Sequence, residues 1–216
     1  MKRFVIVGLG SFGTAVAQGL AAQGHDVAVI DRDQDAVDAL AAKVSHAACG
    51  DGRSIQALEQ LGAAGADAAI VHTGDDLAAA VLATMALRDL GVDRIYVKVT
   101  SAEHARVLEK IGVTETVFPE WESGLRLARR VATPNVLNDV RLGEDFSIQE
   151  VAVPEAWVGK TLRQLELPRT HRLAVVAVRD VLHDSLTTVP DPDGALLESN
   201  TLLVAGRAED LARLAK

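Results

Sequence analysis

Short runs of apolar residues alternate, through most of the N-terminal part of the chain, with longer segments whose apolar positions recur every three to four residues. The short runs are typical of strands buried on both faces, and the longer segments are typical of helices with one buried face. Strands are predicted at 4–7, 27–31, 46–49, 68–72, 94–99 and 116–118, and helices at 14–22, 34–43, 54–61, 75–90, 102–111 and 120–131. The alternation predicts an α/β domain built on a doubly wound parallel sheet.

Capping residues stand at the ends of several predicted helices. Asp75 and Ser101 occupy N-cap positions, where a side-chain oxygen can accept hydrogen bonds from the first turn. Gly62, Gly91 and Gly112 each follow a helix, where a left-handed backbone conformation is common. The capping residues therefore agree with the hydrophobic pattern.

The alternation stops at Thr133-Pro134-Asn135, where the proline should end the preceding helix. Beyond it, strands are predicted at 147–153, 173–179 and 201–204, short helices at 162–165 and 208–214, and a turn-rich stretch at 190–194. This pattern indicates a small α+β module. We therefore expect two domains, 1–134 and 135–216.

A glycine-rich turn joins the first predicted strand to the first helix in FVIVGLGSFG. Gly8 permits a tight turn, Gly10 lets the backbone approach a pyrophosphate, and Gly13 lets helix and strand pack closely. The free N–H groups of the helix N-terminus then face the phosphates. Asp31 ends the second strand about twenty residues on, where a carboxylate can bind ribose hydroxyls. The combination predicts a Rossmann-like domain that binds an adenine nucleotide.

Other candidate binding residues follow the later strands. Asp51, between Gly50 and Gly52, is placed to accept from an adenine amino group, although an ordinary turn aspartate explains it nearly as well. Thr73 and Gly74 can face ribose or phosphate at the end of the fourth strand. His72 beside them is interpreted as structural.

Three charged residues complete the candidate set. Arg32 follows Asp31 and partly offsets the repulsion between that carboxylate and a 2′-phosphate. Lys98 can reach phosphate oxygens or simply be a solvated lysine at a strand end. Glu120 can help to hold a divalent cation at the phosphates, or it can merely favour the start of a helix.

Composition limits the possible functions. The net charge of −8 argues against nucleic-acid binding. A single cysteine, Cys49, fits a reducing compartment, and we expect a cytoplasmic protein without a secretory signal or a membrane span. No nucleophile, base and orienting residue can be assembled from the sequence, so we expect a non-enzyme. An NAD-dependent oxidoreductase remains the alternative because it would use the same glycines and Asp31.

The motifs resemble those of the cytosolic RCK (regulator of conductance of potassium) subunits of bacterial Ktr and Trk potassium-uptake systems. The matching stretches are FVIVGLGSFG, GHDVAVIDRD, HAACGDGRS, RIYVKV, VLEKIGV, VFPEWESG and VLNDV in the first part, and VGKTLRQLEL and TLLVAGRAEDL in the second. The resemblance implies an N-terminal nucleotide-binding RCK domain and a C-terminal ligand-sensing RCK domain. It further implies dimers assembled into an octameric ring and a membrane-embedded potassium-translocating partner, which would hold the protein at the inner face of the membrane.

The resemblance also assigns roles to residues. It places Gly8, Gly10, Phe12, Gly13 and Lys98 at the phosphates, Asp31 at the ribose, Asp51 at the adenine, and Glu120 near the terminal phosphate or its Mg²⁺ or Ca²⁺ ion. Some members carry an arginine where this chain has Ser11, and that arginine reaches the terminal phosphate bound by a neighbouring subunit. Serine cannot supply this charge, so the resemblance does not distinguish ATP from ADP. The implied ligand is therefore ATP or ADP, or else NAD or NADH.

Overall fold

The computed structural model describes residues 1–132, 136–143 and 145–214, except for the side chain of Arg129. They form two compact units, Met1–Glu122 and Ser123–Lys216. The boundary predicted between residues 134 and 135, like the role of Pro134 in ending a helix, lies outside the described residues and stays a prediction.

The first unit is built on a six-stranded parallel sheet of strand order β3-β2-β1-β4-β5-β6. Its strands are β1 Arg3–Val7, β2 Asp26–Asp31, β3 His46–Cys49, β4 Ala68–Val71, β5 Ile95–Lys98 and β6 Glu115–Val117. The helices between them are α1 Ser11–Ala22, α2 Gln34–Ala41, α3 Ile55–Gln60, α4 Leu77–Asp89 and α5 Ala102–Lys110, and α6 Pro119–Ala132 follows β6. This is the predicted Rossmann-like topology, in which the chain order reverses between β1 and β4.

Apolar side chains cover both faces of this sheet. One face packs Val5, Val7 and Ile30 against α3 and α4, and the other packs Ile6 and Val29 against α1 and α2. Burial on both faces explains why β1, β2 and β4 are continuous apolar runs in the sequence. The helix and strand ends differ from the predicted ones by up to three residues.

One predicted helix cap is wrong. Asp76, not Asp75, is the N-cap of α4, and its Oδ1 accepts from the Ala79 N–H at 2.8 Å. Ser101 caps α5 as expected, since its hydroxyl accepts from the His104 N–H. Gly62, Gly91 and Gly112 have positive φ just past α3, α4 and α5, as predicted.

The second unit contains a five-stranded sheet of order β10-β9-β11-β8-β7, in which all paired strands are antiparallel. Its elements are β7 Val136–Arg141, β8 Phe146–Ala152, α7 Leu162–Leu165, α8 Leu167–Thr170, β9 Ala174–Asp180, β10 Ser185–Thr187, β11 Asn200–Arg207 and α9 Ala208–Leu214, with a 3₁₀ turn at Glu155–Trp157. Its core includes Leu173, Leu202 and Leu211.

The predicted α+β module is therefore present, but two of its strands were missed. The motif VLNDV, assigned above to the first part of the chain, lies in β7 and pairs with β8 of the second unit. Strand β10 pairs with β9 and was not predicted at all.

Candidate functional site

A cleft of about 280 Å³ opens at the carboxyl ends of β1, β2, β3 and β4. Nine of the predicted binding residues line it: Gly8, Gly10, Asp31, Arg32, Gly50, Asp51, Gly52, Thr73 and Gly74. His72, Arg53 and Asp76 also line it, and sequence reasoning had given none of them a role in binding. The cleft lies at the point where the strand order reverses, which is where open α/β sheets bind ligands.

The glycine turn brings strand, helix and neighbouring strand into close contact. Gly8 has a φ of +95°, and an added Cβ atom would lie 1.7 Å from the carbonyl oxygen of His72. A Cβ atom on Gly13 would lie 2.0 Å from the carbonyl oxygen of Gly8. These two glycines are therefore required by packing between β1, β4 and α1, whatever the cleft binds.

Helix α1 begins at Ser11 with Gly10 as its N-cap, no side chain caps it, and its first turn holds no acidic residue. Its first N–H groups consequently lack intrahelical partners, and the helix dipole adds partial positive charge there. Such an N-terminus suits an anion. Ser11, Phe12 and Gly13 lie in this first turn and are not among the residues that line the cleft.

Asp31 connects the end of β2 to the glycine turn. Its Oδ2 accepts a hydrogen bond from the Leu9 N–H, and its Oδ1 accepts one from the Asp33 N–H at 2.9 Å. A carboxylate oxygen can accept more than one hydrogen bond, so ribose hydroxyls can still be bound. The two backbone contacts hold the carboxylate at the rim of the cleft.

Asp51, just past the end of β3 and next to β2, contacts two arginines. Its carboxylate is 2.6 Å from Nη2 of Arg53 and 3.1 Å from Nη2 of Arg32. The hydrogen bonds from Arg53 are the main reason why the pKa of Asp51 lies far below its usual range. A contact between Asp51 and adenine stays a prediction. An adenine amino group would have to donate to carboxylate oxygens that already accept hydrogen bonds from Arg32 and Arg53. Arg53 had been missed, although it directly follows the Gly50-Asp51-Gly52 turn.

Lys98 and Glu120 form an ion pair beyond the residues that line the cleft. Lys98 Nζ lies 2.5 Å from Glu120 Oε1, and the lysine side chain is only 8% exposed. The hydrogen bond from Lys98 is the main cause of the lowered pKa of Glu120. Glu120 as a cation ligand stays a prediction. Within the described part of the chain, no group of three or more His, Cys, Asp or Glu side chains is arranged to hold a metal ion.

His72 lines the cleft and contacts the lysine of this ion pair. Its Nε2 is 3.4 Å from Lys98 Nζ, and its ring packs edge-on against Phe12 with 6.2 Å between the ring centroids. Burial, followed by the charge of Lys98, lowers the pKa of the imidazole. A neutral imidazole is therefore favoured beside the lysine.

These features fit an adenine nucleotide. The uncapped start of α1 suits phosphate, and Asp31 retains acceptor capacity for ribose.

Along the described residues, no helix is both long enough and apolar enough to cross a membrane.

Comparison with known proteins gives matches along nearly the whole chain. The family model for the TrkA-N domain matches residues 4–119, and that for the TrkA-C domain matches residues 148–216. The Ktr system potassium uptake protein C of Bacillus subtilis (strain 168) is 32% identical over 218 residues, which cover 100% of this chain and 96% of that protein. The Ktr system potassium uptake protein A of Vibrio alginolyticus is 30% identical over 215 residues, which cover 100% and 97%.

Solved structures show the same fold. The GsuK RCK domain matches with a TM-score of 0.64 at 20% identity, over 99% of this chain and 47% of that one. The GsuK channel bound to NAD gives 0.63 at 20% identity, over 99% and 38%. GsuK bound to ADP gives 0.51 at 26% identity, over 60% and 34%. This chain thus spans about half or less of each of those chains.

Proposed function

The chain belongs to the family of TrkA- and Ktr-type potassium uptake proteins, and on this premise we propose that it is a non-enzymatic regulatory subunit of a potassium uptake system. Its N-terminal RCK domain would bind an adenine nucleotide, and its C-terminal RCK domain would sense a further ligand. The observation that carries the proposal is the cleft at the carboxyl ends of β1 to β4, which combines the uncapped start of α1 with Asp31.

The proposed binding mode follows from these residues. The N–H groups at the start of α1 receive the phosphates, and the carboxylate of Asp31 accepts from the ribose hydroxyls. The adenine then lies toward Gly50, Asp51 and Gly52, on the same side as Arg53. Lys98 and Glu120 would act at the phosphate end, as the family resemblance implies.

The nucleotide is proposed to be ATP or ADP, or else NAD or NADH. The ADP-bound GsuK structure, which is 26% identical over the matched region, supports an adenine nucleotide. Ser11 is uncharged and lies in the first turn of α1, so it adds no positive charge for a terminal phosphate. We therefore expect weaker discrimination between ATP and ADP than in relatives with an arginine at this position.

Binding has to be converted into control of a partner. A ligand shifts a conformational equilibrium only by its difference in affinity for the two states, and a shift from 1:99 to 99:1 needs about 5.5 kcal/mol. A ring of eight identical sites would share this requirement at less than about 1 kcal/mol each, provided that the ring moves as a unit. We therefore propose a cytoplasmic homo-oligomer that is built from dimers and acts on a membrane-embedded potassium-translocating subunit.

Calorimetric titration tests the proposal. Purified protein is titrated with ATP, ADP, AMP, NAD and NADH, with GTP as the control for the base. We expect saturable binding of at least one adenine nucleotide. That nucleotide should raise the free energy of unfolding of the protein by about 2.7 kcal/mol when its concentration is one hundred times the dissociation constant. Absence of binding by all five adenine compounds would reject the proposal.

The oxidoreductase alternative predicts a different result. Incubation of the protein with NADH and a panel of carbonyl compounds would then consume NADH, which is measured as loss of its absorbance. A regulatory subunit releases the nucleotide unchanged, so we expect constant absorbance and recovery of intact nucleotide by chromatography. Turnover above that of the Asp31→Ala variant would instead establish an enzyme.

A further inference from the structure

The imidazole of His72 occupies the space beside Gly10. A Cβ atom added to Gly10 would lie 2.5 Å from Cε1 and 3.1 Å from Nδ1 of this ring. In glycine turns of this type, the missing side chain at the second glycine is what lets the backbone approach a pyrophosphate. In this chain, the space that glycine leaves open beside α1 is filled by a side chain from the end of β4.

The contacts that hold the ring there are weak. Its Nε2 meets Lys98 Nζ at 3.4 Å, and its edge packs against Phe12. Since an ammonium group only donates, Nε2 must accept, which places the ring proton on Nδ1. Nδ1 is buried and has no hydrogen-bond partner among the residues that the structure describes. A buried donor without an acceptor is unfavourable, so it offsets part of the stabilisation that packing gives to this position of the ring and lowers the free energy needed to rotate the ring toward solvent.

Lys98 has a reason to exchange partners. Its buried ammonium lies between the neutral ring of His72 and the carboxylate of Glu120. A phosphate at the start of α1 would offer a charged acceptor, which binds an ammonium more strongly than an imidazole nitrogen does. Departure of the ring would open the path between Lys98 and that phosphate.

We propose that His72 controls access of phosphate to the glycine turn: its ring and the phosphate compete for the space beside Gly10, and Lys98 passes from the ring to the phosphate when the ring is displaced. This inference rests on the nucleotide-binding function proposed above. It makes His72 a residue that sets specificity, because a ligand with phosphate must displace the ring and adenosine does not.

The test compares AMP with adenosine, which differ by the phosphate alone. Both are titrated calorimetrically into the wild-type protein and the His72→Ala variant. We expect His72→Ala to bind AMP about 10-fold more tightly, which corresponds to a ring that fills the space for about nine-tenths of the time. Adenosine affinity should change by less than about twofold.

His25→Ala is the matched control. His25 also has a buried Nδ1 without a partner among the described residues and packs against an aromatic ring, that of Phe4, but it does not line the cleft. We expect its AMP and adenosine affinities to equal those of the wild type. His72→Ser serves as a second variant, and the thermal melt of each variant verifies that it is folded.

Each outcome bears on a separate statement. Weaker AMP binding by His72→Ala would show that the ring is a phosphate ligand. An equal change in the affinities for AMP and adenosine would show that His72 has a structural role. Either result overturns the inference but leaves the proposed function intact. AMP binding that appears only after substitution of His72 supports the inference. If neither the wild type nor the folded variants bind any adenine compound, the proposed function fails as well.

Discussion

Asp31 illustrates how one side chain can serve both the fold and the site. Its two oxygens accept from the N–H groups of Leu9 and Asp33, so the carboxylate ties the glycine turn to the end of β2. The same contacts fix its position at the cleft, because a carboxylate held by two backbone donors cannot rotate freely. Loss of this side chain should therefore affect both stability and binding.

For Asp31→Ala we expect nucleotide affinity to fall at least about 10-fold, since a hydrogen bond to a charged acceptor contributes about 1.5–3 kcal/mol. The unliganded variant should also be less stable, because two N–H donors lose their acceptor. Calorimetry and urea denaturation measure the two effects. Asp35→Ala, on the exposed first turn of α2, is the control and should bind normally. Unchanged affinity in Asp31→Ala would remove this residue from the ribose site.

His72 predicts how stability depends on pH. Burial and Lys98 lower the pKa of its imidazole from 6.5. At a pH between the folded and the unfolded pKa, the unfolded chain therefore binds a proton at this imidazole and the folded chain does not. The stability from this group is complete above about pH 6.5 and is lost as the pH decreases from there through the folded pKa. Thermal melts between pH 8 and about pH 5.5 should show this loss in the wild type and a smaller loss in His72→Ala. Identical pH profiles would show that His72 does not contribute.

At the level of elements, helix α4 shows how a local ambiguity is settled. Asp75 and Asp76 are adjacent and chemically equivalent as caps. The turn before them includes Gly74 at a φ of +64°, and Thr73 donates its hydroxyl hydrogen bond to the carbonyl of Asp76. This turn leaves Asp76, rather than Asp75, facing the first N–H groups of the helix.

The two aspartates give a matched pair of variants. Asp76→Ala should lower the free energy of unfolding by about 1 kcal/mol, because the Ala79 N–H loses its acceptor. Asp75→Ala should change it by less than about 0.5 kcal/mol, as is usual for surface substitutions. Urea denaturation of both variants measures the difference. A larger effect from Asp75→Ala would contradict the cap seen in the structure.

The strands that were missed, β7 and β10, are the two edges of the antiparallel sheet. An edge strand has one paired neighbour and buries little of its side chains, and all three residues of β10 are exposed. Without burial, no alternation of apolar and polar residues is required, and the sequence signal disappears. The central strands β8 and β11 bury more residues; β8 was predicted to within one residue at each end, and four of the eight residues of β11 were predicted.

At the level of the whole molecule, assembly is the proposed basis of regulation. We expect a mass several-fold above the 22.8 kDa of the chain, because only a ring that moves as a unit lets small binding differences add. Light scattering coupled to size exclusion, at micromolar concentration and with and without ADP, measures it. A monomer under both conditions would contradict the ring.

The sequence by itself determined the class of the first unit and the place of its cleft. Strands buried on both faces must be apolar throughout, and the tight turn before α1 requires glycine, so both features are visible in the residue order. Gly8, Gly10 and Asp31 were therefore predicted without coordinates, together with six more of the residues that line the cleft.

Only the tertiary structure decided what lies beside those residues. His72 fills the space at Gly10, although the two residues are far apart in the sequence. Arg32 and Arg53 both bind Asp51, and the sequence does not specify these pairings. Lys98 reaches both His72 and Glu120 because β4, β5 and the start of α6 converge at one edge of the sheet. A side chain's charge can be read from the sequence, but its partner depends on which strand ends the fold brings together.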